Sequence, residues 1–301
     1  MKLNSTRDRF GRRTLSGHLN IMKLMRIGPP GQEVPVAVDI DGNLRDISSI
    51  IVDVSCSNLA DPVLQLLRMS DLTSLPVLPP NRIGPCVGNV GKIVGIGLNY
   101  TDHAREAGLS IPEEPVIFLK AASAICGPND DIVMPLASTK VDWEVELGIV
   151  IGSTARYVSE AVAVDHIAGF CIVNDLSERS FQFERGGTWD KGKSCETFAP
   201  LGPMLVTRDE ILDANNLELS LKVSGVTYQQ ANTENMIFNV RQIVSYVSHF
   251  MRLDPGDVIA TGTPAGVGLG QKPPVFLKEG DIVCASIQGL GEQRQRVTRA
   301  Y

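Results

Sequence analysis

The sequence has no long apolar run, little histidine and no excess of basic residues. No stretch approaches the roughly 18 consecutive apolar residues of a membrane-spanning helix. Lys and Arg number 28 against 34 Asp and Glu, which gives a formal net charge of −6. The clustered cations that neutralise nucleic-acid phosphates are therefore missing. These shortages predict a protein that neither spans a membrane nor binds nucleic acid.

The cysteine, serine and histidine patterns argue against further classes of protein and of functional site. The six cysteines are scattered and form no C-x-x-C pair, which favours reduced thiols and hence an intracellular, cytoplasmic protein. No G-x-S-x-G segment is present, so a serine hydrolase of that type is not indicated. The four histidines leave little material for a histidine-based metal site.

The 301 residues can hold a small domain followed by a larger one. Residues 1–21 contain several Arg but lack the apolar stretch of a secretory signal, which predicts a disordered extension. Residues 22–80 show short apolar runs broken by turns, with a helical patch at 58–72, and predict a small N-terminal domain. The proline-rich residues 74–90 mark the boundary, and residues 90–301 form the larger domain, to which we assign catalysis.

Strand-like segments joined by turns dominate the larger domain. Helices are expected only at 159–167, at 240–250 and as one or two turns at 102–108. This pattern predicts a mixed, β-rich α+β fold, either a barrel or a rolled sandwich, and argues against a βαβ sheet.

The segment VDWEVELGIVIG, residues 141–152, carries an acidic residue at every second position near its start. In a strand, Asp142, Glu144 and Glu146 would project from one face. Carboxylates at that spacing repel one another unless a cation compensates, and hard oxygen ligands suit Mg²⁺, Mn²⁺ or Ca²⁺. A solvated face of an edge strand would produce the same alternation. Spacing alone supports both interpretations equally.

Three further segments could complete a site. Asp175 follows the apolar run 169–174, where it could be a ligand or simply part of an Asn-Asp turn. Lys191 and Lys193 lie in a segment rich in charge, glycine and aromatic residues that predicts a loop over a pocket, although loop lysines are commonly just solvated. The turn at 261–264 could hold a carboxylate or merely reverse the chain.

His103 and Glu106 stand three residues apart in a segment that can form a helical turn. At this spacing they could share a water molecule and act as a general-base pair. A surface pair unrelated to catalysis would have the same spacing.

Seven segments, in order, resemble the fumarylacetoacetate hydrolase family across roughly residues 92–286. They are KIVGIGLNYTDHAREAG, EPVIFLK, VDWEVELGIVIG, GFCIVNDLSERSFQ, WDKGKSCETFAPLGP, MIFNVRQIVSYVS and GDVIATGTPAGVG. Each segment alone is weak evidence, whereas the ordered set is specific. The resemblance implies a β-roll fold, a homodimer and a small N-terminal domain of the kind common in longer members.

The resemblance also implies roles for individual residues. The metal ligands, for Mg²⁺ or Mn²⁺, would be Glu144, Glu146 and Asp175. The catalytic residues would be His103 and Glu106, on a mobile lid that activates water, and Lys193. The substrate-binding residues would be Tyr100, Lys120, Arg179, Gln182 and Thr263.

For activity, the resemblance implies a metal-dependent hydrolase acting on carbon–carbon bonds in ketonic substances. The substrate would be a 2,4-dioxo acid, either an acylpyruvate or a 2,4-diketo-3-deoxy sugar acid, cleaved at C3–C4 to release pyruvate. Residues 180–207 are similar to the branch that includes 2,4-diketo-3-deoxy-sugar-acid hydrolases and ureidoglycolate lyase-like proteins. The alternatives are an oxaloacetate decarboxylase or a hydroxy-dienedioate isomerase. A non-catalytic binding relative ranks below them because the ligands and the lid pair are all present.

Overall fold

The computed structural model describes residues 22–300, so the expected extension at 1–21 lies outside the described residues. This part of the chain contains eighteen strands and five α-helices. The strands are β1 Lys23–Ile27, β2 Val34–Val38, β3 Leu44–Asp46, β4 Val77–Leu78, β5 Ile93–Gly97, β6 Val116–Lys120, β7 Ile125–Cys126, β8 Ile132–Met134, β9 Val141–Asp142, β10 Val145–Ile151, β11 Ile167–Asn174, β12 Ser177–Glu178, β13 Ala199–Thr207, β14 Glu218–Val223, β15 Val226–Asn232, β16 Val258–Ala260, β17 Ile282–Ile287 and β18 Gly291–Arg299. The helices are α1 Asp61–Met69, α2 Thr101–Glu106, α3 Arg179–Phe183, α4 Asp190–Lys193 and α5 Val240–Phe250.

Local sequence explains where the longest helix, α5, begins. The Asn239 side chain accepts a hydrogen bond from the Gln242 backbone N–H, and the Gln242 side chain accepts one from the Asn239 N–H, which is a capping box. The expected helix at 159–167 is wrong as an α-helix, since only a 3-10 turn forms there, at Ala163–His166. Its two β-branched valines disfavour a regular helix. Among residues 22–300 no helix is long and apolar enough to cross a membrane.

One mixed sheet of eleven strands forms the framework. Its order is β4-β3-β2-β1-β13-β11-β10-β16-β5-β6, with β7 paired to β13. β10 lies well inside the sheet, antiparallel to both β11 and β16, whereas β16 and β5 run parallel. All seven residues of β10 are buried. The carboxylate-bearing segment 141–152 therefore does not form a solvated edge strand.

The N-terminal strands extend this sheet. β1 pairs with β13 in an antiparallel register that places Leu24 opposite Leu205. Apolar residues between Met22 and Leu72 also share a buried cluster with Val150, Ala168 and Cys171 of the large sheet. The N-terminal region therefore packs directly on the strands that carry the site, and the boundary at 74–90 stays a prediction.

A second sheet of five strands, ordered β15-β14-β17-β18-β8, packs with α5 and the first sheet around one apolar core. The fold class is confirmed as mixed, β-rich α+β with few helices. Within the described part of the chain the large sheet ends at β4 and β6 and does not close. The barrel alternative is therefore wrong.

Candidate active site

Three neighbouring strands bring the predicted carboxylates to one edge of the large sheet. Because β10 is antiparallel to β11 and β16, the start of β10 meets the ends of the other two. The Asp175 backbone N–H, just after β11, donates to the Glu144 carbonyl oxygen at 2.8 Å. The Gly262 N–H, just after β16, donates to the Glu146 carboxylate at 2.7 Å. Residues far apart in sequence thus meet because the strands pair in this order.

Glu144, Glu146 and Asp175 form a buried carboxylate cluster. One oxygen from each lies within 4.8 Å of the others, a spacing that lets all three contact one ion. Glu146 accepts the hydrogen bond from Gly262 but forms no ion pair with the described residues. A buried carboxylate without a counter-charge is unfavourable. The space beside Glu146 therefore fits a cation.

Three cations pair with the other two carboxylates. Lys193 Nζ lies 2.8 Å from Glu144 Oε2 and 2.6 Å from Asp175 Oδ2. Lys120 Nζ lies 2.5 Å from Asp175 Oδ1. Arg179 Nη2 lies 2.6 Å from Glu144 Oε1. These ion pairs are almost completely buried, so they fix the directions in which Glu144 and Asp175 point.

Burial and neighbouring charges shift the pKa values of the cluster in opposite directions. Burial, together with Asp175 and Glu144, raises the pKa of Glu146 well above its usual value. Burial also acts to raise the pKa of Glu144, but Lys193 and Arg179 outweigh it and lower that pKa. Burial acts to lower the pKa of Lys193, but Asp175 and Glu144 outweigh it and raise that pKa. Lys193 therefore stays protonated.

The formal charges of the site favour a divalent ion. Four carboxylates and three cations make up the cluster and its ion pairs: Asp142, Glu144, Glu146 and Asp175, with Lys120, Arg179 and Lys193. They leave one excess negative charge in a buried volume, and Glu106, which lines the same cavity, adds a second. A divalent cation would offset this negative charge. Oxygen ligands of this kind suit Mg²⁺ or Mn²⁺.

Asp142 lies beside the cluster but is not part of it. The chain leaves strand geometry between β9 and β10, so the alternation that would align Asp142 with Glu144 is interrupted. Asp142 Oδ1 accepts a hydrogen bond from the Gly268 N–H at 2.6 Å, and Oδ2 accepts one from Arg179 Nε at 2.8 Å. Asp142 therefore positions Arg179 and the turn around Gly268.

His103 and Glu106 form a pair on α2. His103 Nδ1 lies 3.2 Å from Glu106 Oε2, and Glu106 Oε1 accepts a hydrogen bond from the Gly266 N–H at 2.9 Å. A Cβ atom added to Gly270 would lie only 2.2 Å from Glu106 Cδ. The helix is therefore held tightly against the turn at 266–270.

One cavity of about 340 Å³ connects these groups. Its polar lining comprises His103, Glu106, Glu144, Glu146, Arg179, Gln182, Lys193 and Thr263. Most residues expected in the site from the sequence thus face one space. The segment 180–200, expected as a loop over a pocket, does line this cavity, but it contains α3 and α4 and is not only a loop.

Three other candidates lie elsewhere. Tyr100 is fully buried and does not line the cavity; burial and then Glu146 raise its pKa, and its hydroxyl has no hydrogen-bond partner among the described residues. Lys120 also does not line the cavity, and burial lowers its pKa even though it contacts Asp175. Lys191, on α4, is exposed and donates to the Arg185 carbonyl oxygen at 2.6 Å, so it is a surface lysine.

Two buried amides shape the site although the sequence did not indicate them. Gln229 Nε2 donates to Thr263 Oγ1 at 2.7 Å, and its Oε1 accepts from the Val145 N–H at 3.0 Å. Asn99 Nδ2 donates to the Thr261 carbonyl oxygen at 2.7 Å. Both hold the turn at 261–264 in place. Gln229 lies in a polar strand segment, so composition offers no signal for it.

The chain is similar to known proteins over most of its length. The family model described as "Fumarylacetoacetate (FAA) hydrolase C-terminal" matches residues 92–298. A relative from Burkholderia multivorans, named only provisionally as a hydrolase, is 56% identical over 281 residues. That match covers 93% of this chain and 99% of the relative.

Two solved structures are similar to it in both sequence and fold. The fumarylacetoacetate hydrolase from Exiguobacterium antarcticum is 34% identical with a TM-score of 0.81, covering 93% of this chain and 100% of that one. The maleylpyruvate hydrolase from Sphingobium sp. SYK-6, in complex with manganese(II) and pyruvate, is 28% identical with a TM-score of 0.76, at the same coverage of 93% and 100%.

Proposed function

We propose that this chain, which belongs to the fumarylacetoacetate hydrolase family and is an enzyme of that family, cleaves the C3–C4 bond of a 2,4-dioxo acid. The products would be pyruvate and a carboxylic acid. The observation that carries the proposal is that the His103–Glu106 pair and two members of the buried carboxylate cluster, Glu144 and Glu146, line the same cavity. A water activated by the pair would therefore meet a substrate held at the cluster.

We propose Glu144, Glu146 and Asp175 as ligands of Mg²⁺ or Mn²⁺. Such an ion, when bound, acts as a Lewis acid toward the carboxylate and 2-oxo oxygens of the substrate. The carboxylate geometry, the unpaired Glu146 and the manganese(II) and pyruvate in the Sphingobium relative support this assignment. The substrate would be a 2-oxo acid, which carries both of these oxygens.

His103 would act as the general base, oriented by Glu106. With its Nδ1–H donating to the Glu106 carboxylate, His103 keeps the Nε2 lone pair free to accept a proton from water. The hydroxide so formed would attack the C4 carbonyl carbon. The C3–C4 bond then breaks, its electron pair moves to C3, and the departing half is the enolate of pyruvate.

Lys193 would supply charge stabilisation and the proton at C3. Its ammonium is buried and protonated beside Glu144 and Asp175, and it lines the cavity. A fixed cation in a dry site stabilises developing negative charge more strongly than it would in water.

The other candidates fall into three groups. We propose that Arg179, Gln182 and Thr263 bind the substrate, because all three line the cavity. Lys120 would instead hold Asp175 in its ligand direction, since it contacts that carboxylate and does not line the cavity. Tyr100 stays a candidate on resemblance alone.

A substrate screen tests this function. The purified protein would be incubated with Mg²⁺ or Mn²⁺ and with acylpyruvates, a 2,4-diketo-3-deoxy sugar acid or oxaloacetate, while pyruvate and CO₂ are measured separately. We expect pyruvate with an equal amount of carboxylic acid from a 2,4-dioxo acid. Pyruvate with CO₂ from oxaloacetate alone would instead assign decarboxylation.

The homodimer and the cytoplasmic location stay predictions. Light scattering coupled to gel filtration tests the first, with twice the chain mass of 32.5 kDa as the expected result. The location would be tested by fractionation of the native cells.

A further inference from the structure

The wall of the cavity beyond the charged groups is apolar. Nine apolar side chains line it, and the six used here come from four separate segments: Leu109, Phe118, Phe183, Trp189, Val267 and Leu269. The charged groups of the cavity meet this wall directly, because Lys193 Nζ lies 5.0 Å from the centroid of the Phe118 ring. A ligand held at the carboxylate cluster therefore has apolar surface next to its far end.

Three aromatic rings make up one side of this wall. The Phe118 and Trp189 ring centroids lie 5.4 Å apart and tilted by 60°, and Phe183 meets Trp189 edge to face at 6.3 Å. Gly97 permits the Trp189 ring to pack on β5, since a Cβ at that position would lie 2.5 Å from the indole. The rings are thus held in place by one another and by the strand.

Several of these apolar side chains remain exposed at the mouth of the cavity. Leu109 is 53% exposed, Phe183 49% and Leu269 39%. They come from different parts of the chain but line one cavity. Covering such a group with the apolar part of a ligand would remove this surface from water, which favours binding.

No cation among the described lining residues is free to bind a second carboxylate. Arg179 pairs with Asp142 and Glu144, and Lys193 pairs with Glu144 and Asp175. His103 faces Glu106.

Two cations in the neighbouring 185–191 segment are also directed elsewhere. Arg185 stacks on the Phe181 ring, and Lys191 donates to a backbone carbonyl oxygen. Neither lines the cavity. A carboxylate at the far end of the substrate would therefore lie against apolar side chains without a partner, which is unfavourable.

We propose that the group on the C4 side of the substrate is uncharged and apolar, an alkyl or aryl acyl group, and that Leu109, Phe183, Trp189 and Leu269 bind it. The inference rests on the proposed function for the position of C4 but on the cavity alone for the apolar preference. It selects acylpyruvates with apolar acyl groups and disfavours both polyhydroxylated sugar acids and substrates with a second carboxylate.

A binding experiment on the wild-type protein tests the preference without requiring turnover. With Mg²⁺ present, pyruvate, 2-oxohexanoate and 2-oxohexanedioate would be titrated while tryptophan fluorescence is followed, with Trp189→Phe used to identify the signal of Trp189. We expect about a fourfold gain in affinity per buried methylene. The dioate should bind at least about tenfold more weakly than the monoacid of equal length. Equal or tighter binding of the dioate would overturn the inference, as would no binding of either acid.

A kinetic experiment then separates this inference from the proposed reaction. The ratio of kcat/KM for 2,4-dioxoheptanoate to that for 2,4-dioxopentanoate would be compared in wild type, Phe183→Ala and Phe250→Ala. Phe250 is a matched control because it is also a half-exposed phenylalanine, 64% exposed on α5, and does not line this cavity.

Phe183→Ala should lower the ratio several-fold, and Phe250→Ala should leave it unchanged. Chain-length-dependent binding without any cleavage would refute the hydrolase and keep the apolar subsite. Cleavage that favours carboxylated or hydroxylated acyl groups would keep the hydrolase and refute the subsite.

Discussion

Among single residues, His103 is the proposed general base of the hydrolytic step. Replacing it with Ala removes the only imidazole that lines the cavity within the described residues while leaving the carboxylate cluster intact. We expect kcat to fall by about 10² to 10⁴-fold with Mn²⁺ affinity unchanged. Pyruvate release and Mn²⁺ titration would measure the two effects. His249→Ala, a substitution on α5 outside the cavity, should keep full activity, and near-normal turnover by His103→Ala would contradict the base assignment.

Glu146 makes metal binding dependent on pH. Because its pKa is raised by burial, Asp175 and Glu144, a proton competes with the ion for this carboxylate. We expect Mn²⁺ affinity to fall as the pH is lowered from neutral to mildly acidic, with proton release on binding, as calorimetry in buffers of different ionisation enthalpy would show.

A suitable control for this pH effect is Glu210→Gln. Glu210 also has a pKa raised mainly by burial, but it does not belong to the cluster, so its substitution should not alter the pH dependence. Glu146→Gln should lose most of the affinity at every pH. An affinity for Mn²⁺ that does not change with pH would argue that the ion does not use Glu146.

Strand alternation predicted that Glu144 and Glu146 share a site, although only Glu146 lies within β10. Alternation failed for Asp142 because the chain leaves strand geometry between β9 and β10, a break that the sequence pattern does not reveal. The role of Gln229 could not be predicted for a different reason. Its role depends on the contact of β15 with a turn after β16, and such long-range contacts leave no local pattern.

Among the secondary-structure elements, the helix α2 is held to the turn at 266–270 by direct contacts. The Glu106 carboxylate joins them through the Gly266 N–H and leaves no room for a side chain at 270. Gly270→Ala should push the flexible Glu106 side chain away from His103. Because small displacements of catalytic groups are costly, we expect kcat to fall by about tenfold or more while the melting temperature changes little.

A second Gly→Ala variant controls for the methyl group itself. At Gly91 an added Cβ would likewise meet a carboxylate, with Asp257 Oδ1 at 2.8 Å, but outside the cavity. Gly91→Ala should therefore keep kcat. If both variants lose activity equally, the effect is general and the contact of Glu106 with Gly270 has no special role.

The helical elements also show what local patterns can predict. The segment 240–250 folds as expected because a capping box fixes its start and its apolar positions face the core. The segment 159–167 had apolar residues at suitable positions but no such cap, and only a 3-10 turn formed. The capping box thus distinguishes segment 240–250, which forms an α-helix, from segment 159–167, which does not.

On the scale of the whole molecule, the N-terminal strands extend the sheet that carries the site. The pairing of β1 with β13 could not be predicted from turn and strand patterns, because strand order depends on contacts between distant segments. The family resemblance, in contrast, indicated the fold class correctly from ordered motifs alone.

Binding of an ion at the cluster should stabilise the whole chain. At a concentration about 100 times its Kd, Mn²⁺ adds about 2.7 kcal/mol to the free energy of unfolding. For a chain of 301 residues that corresponds to a rise in Tm of roughly 4 °C. Thermal melting with and without Mn²⁺ measures it. Asp175→Asn should lose the shift, and an equal shift in that variant would locate the ion elsewhere.

A metal titration of turnover shows most directly whether cleavage depends on the ion. The protein would be freed of metal with a chelator, supplied with a 2,4-dioxo acid that carries an apolar acyl group, and titrated with Mn²⁺ while pyruvate is measured. We predict negligible release without metal and a rise that saturates at one ion per chain. Pyruvate release that neither the chelator nor Mn²⁺ alters would contradict a metal-dependent carbon–carbon hydrolase.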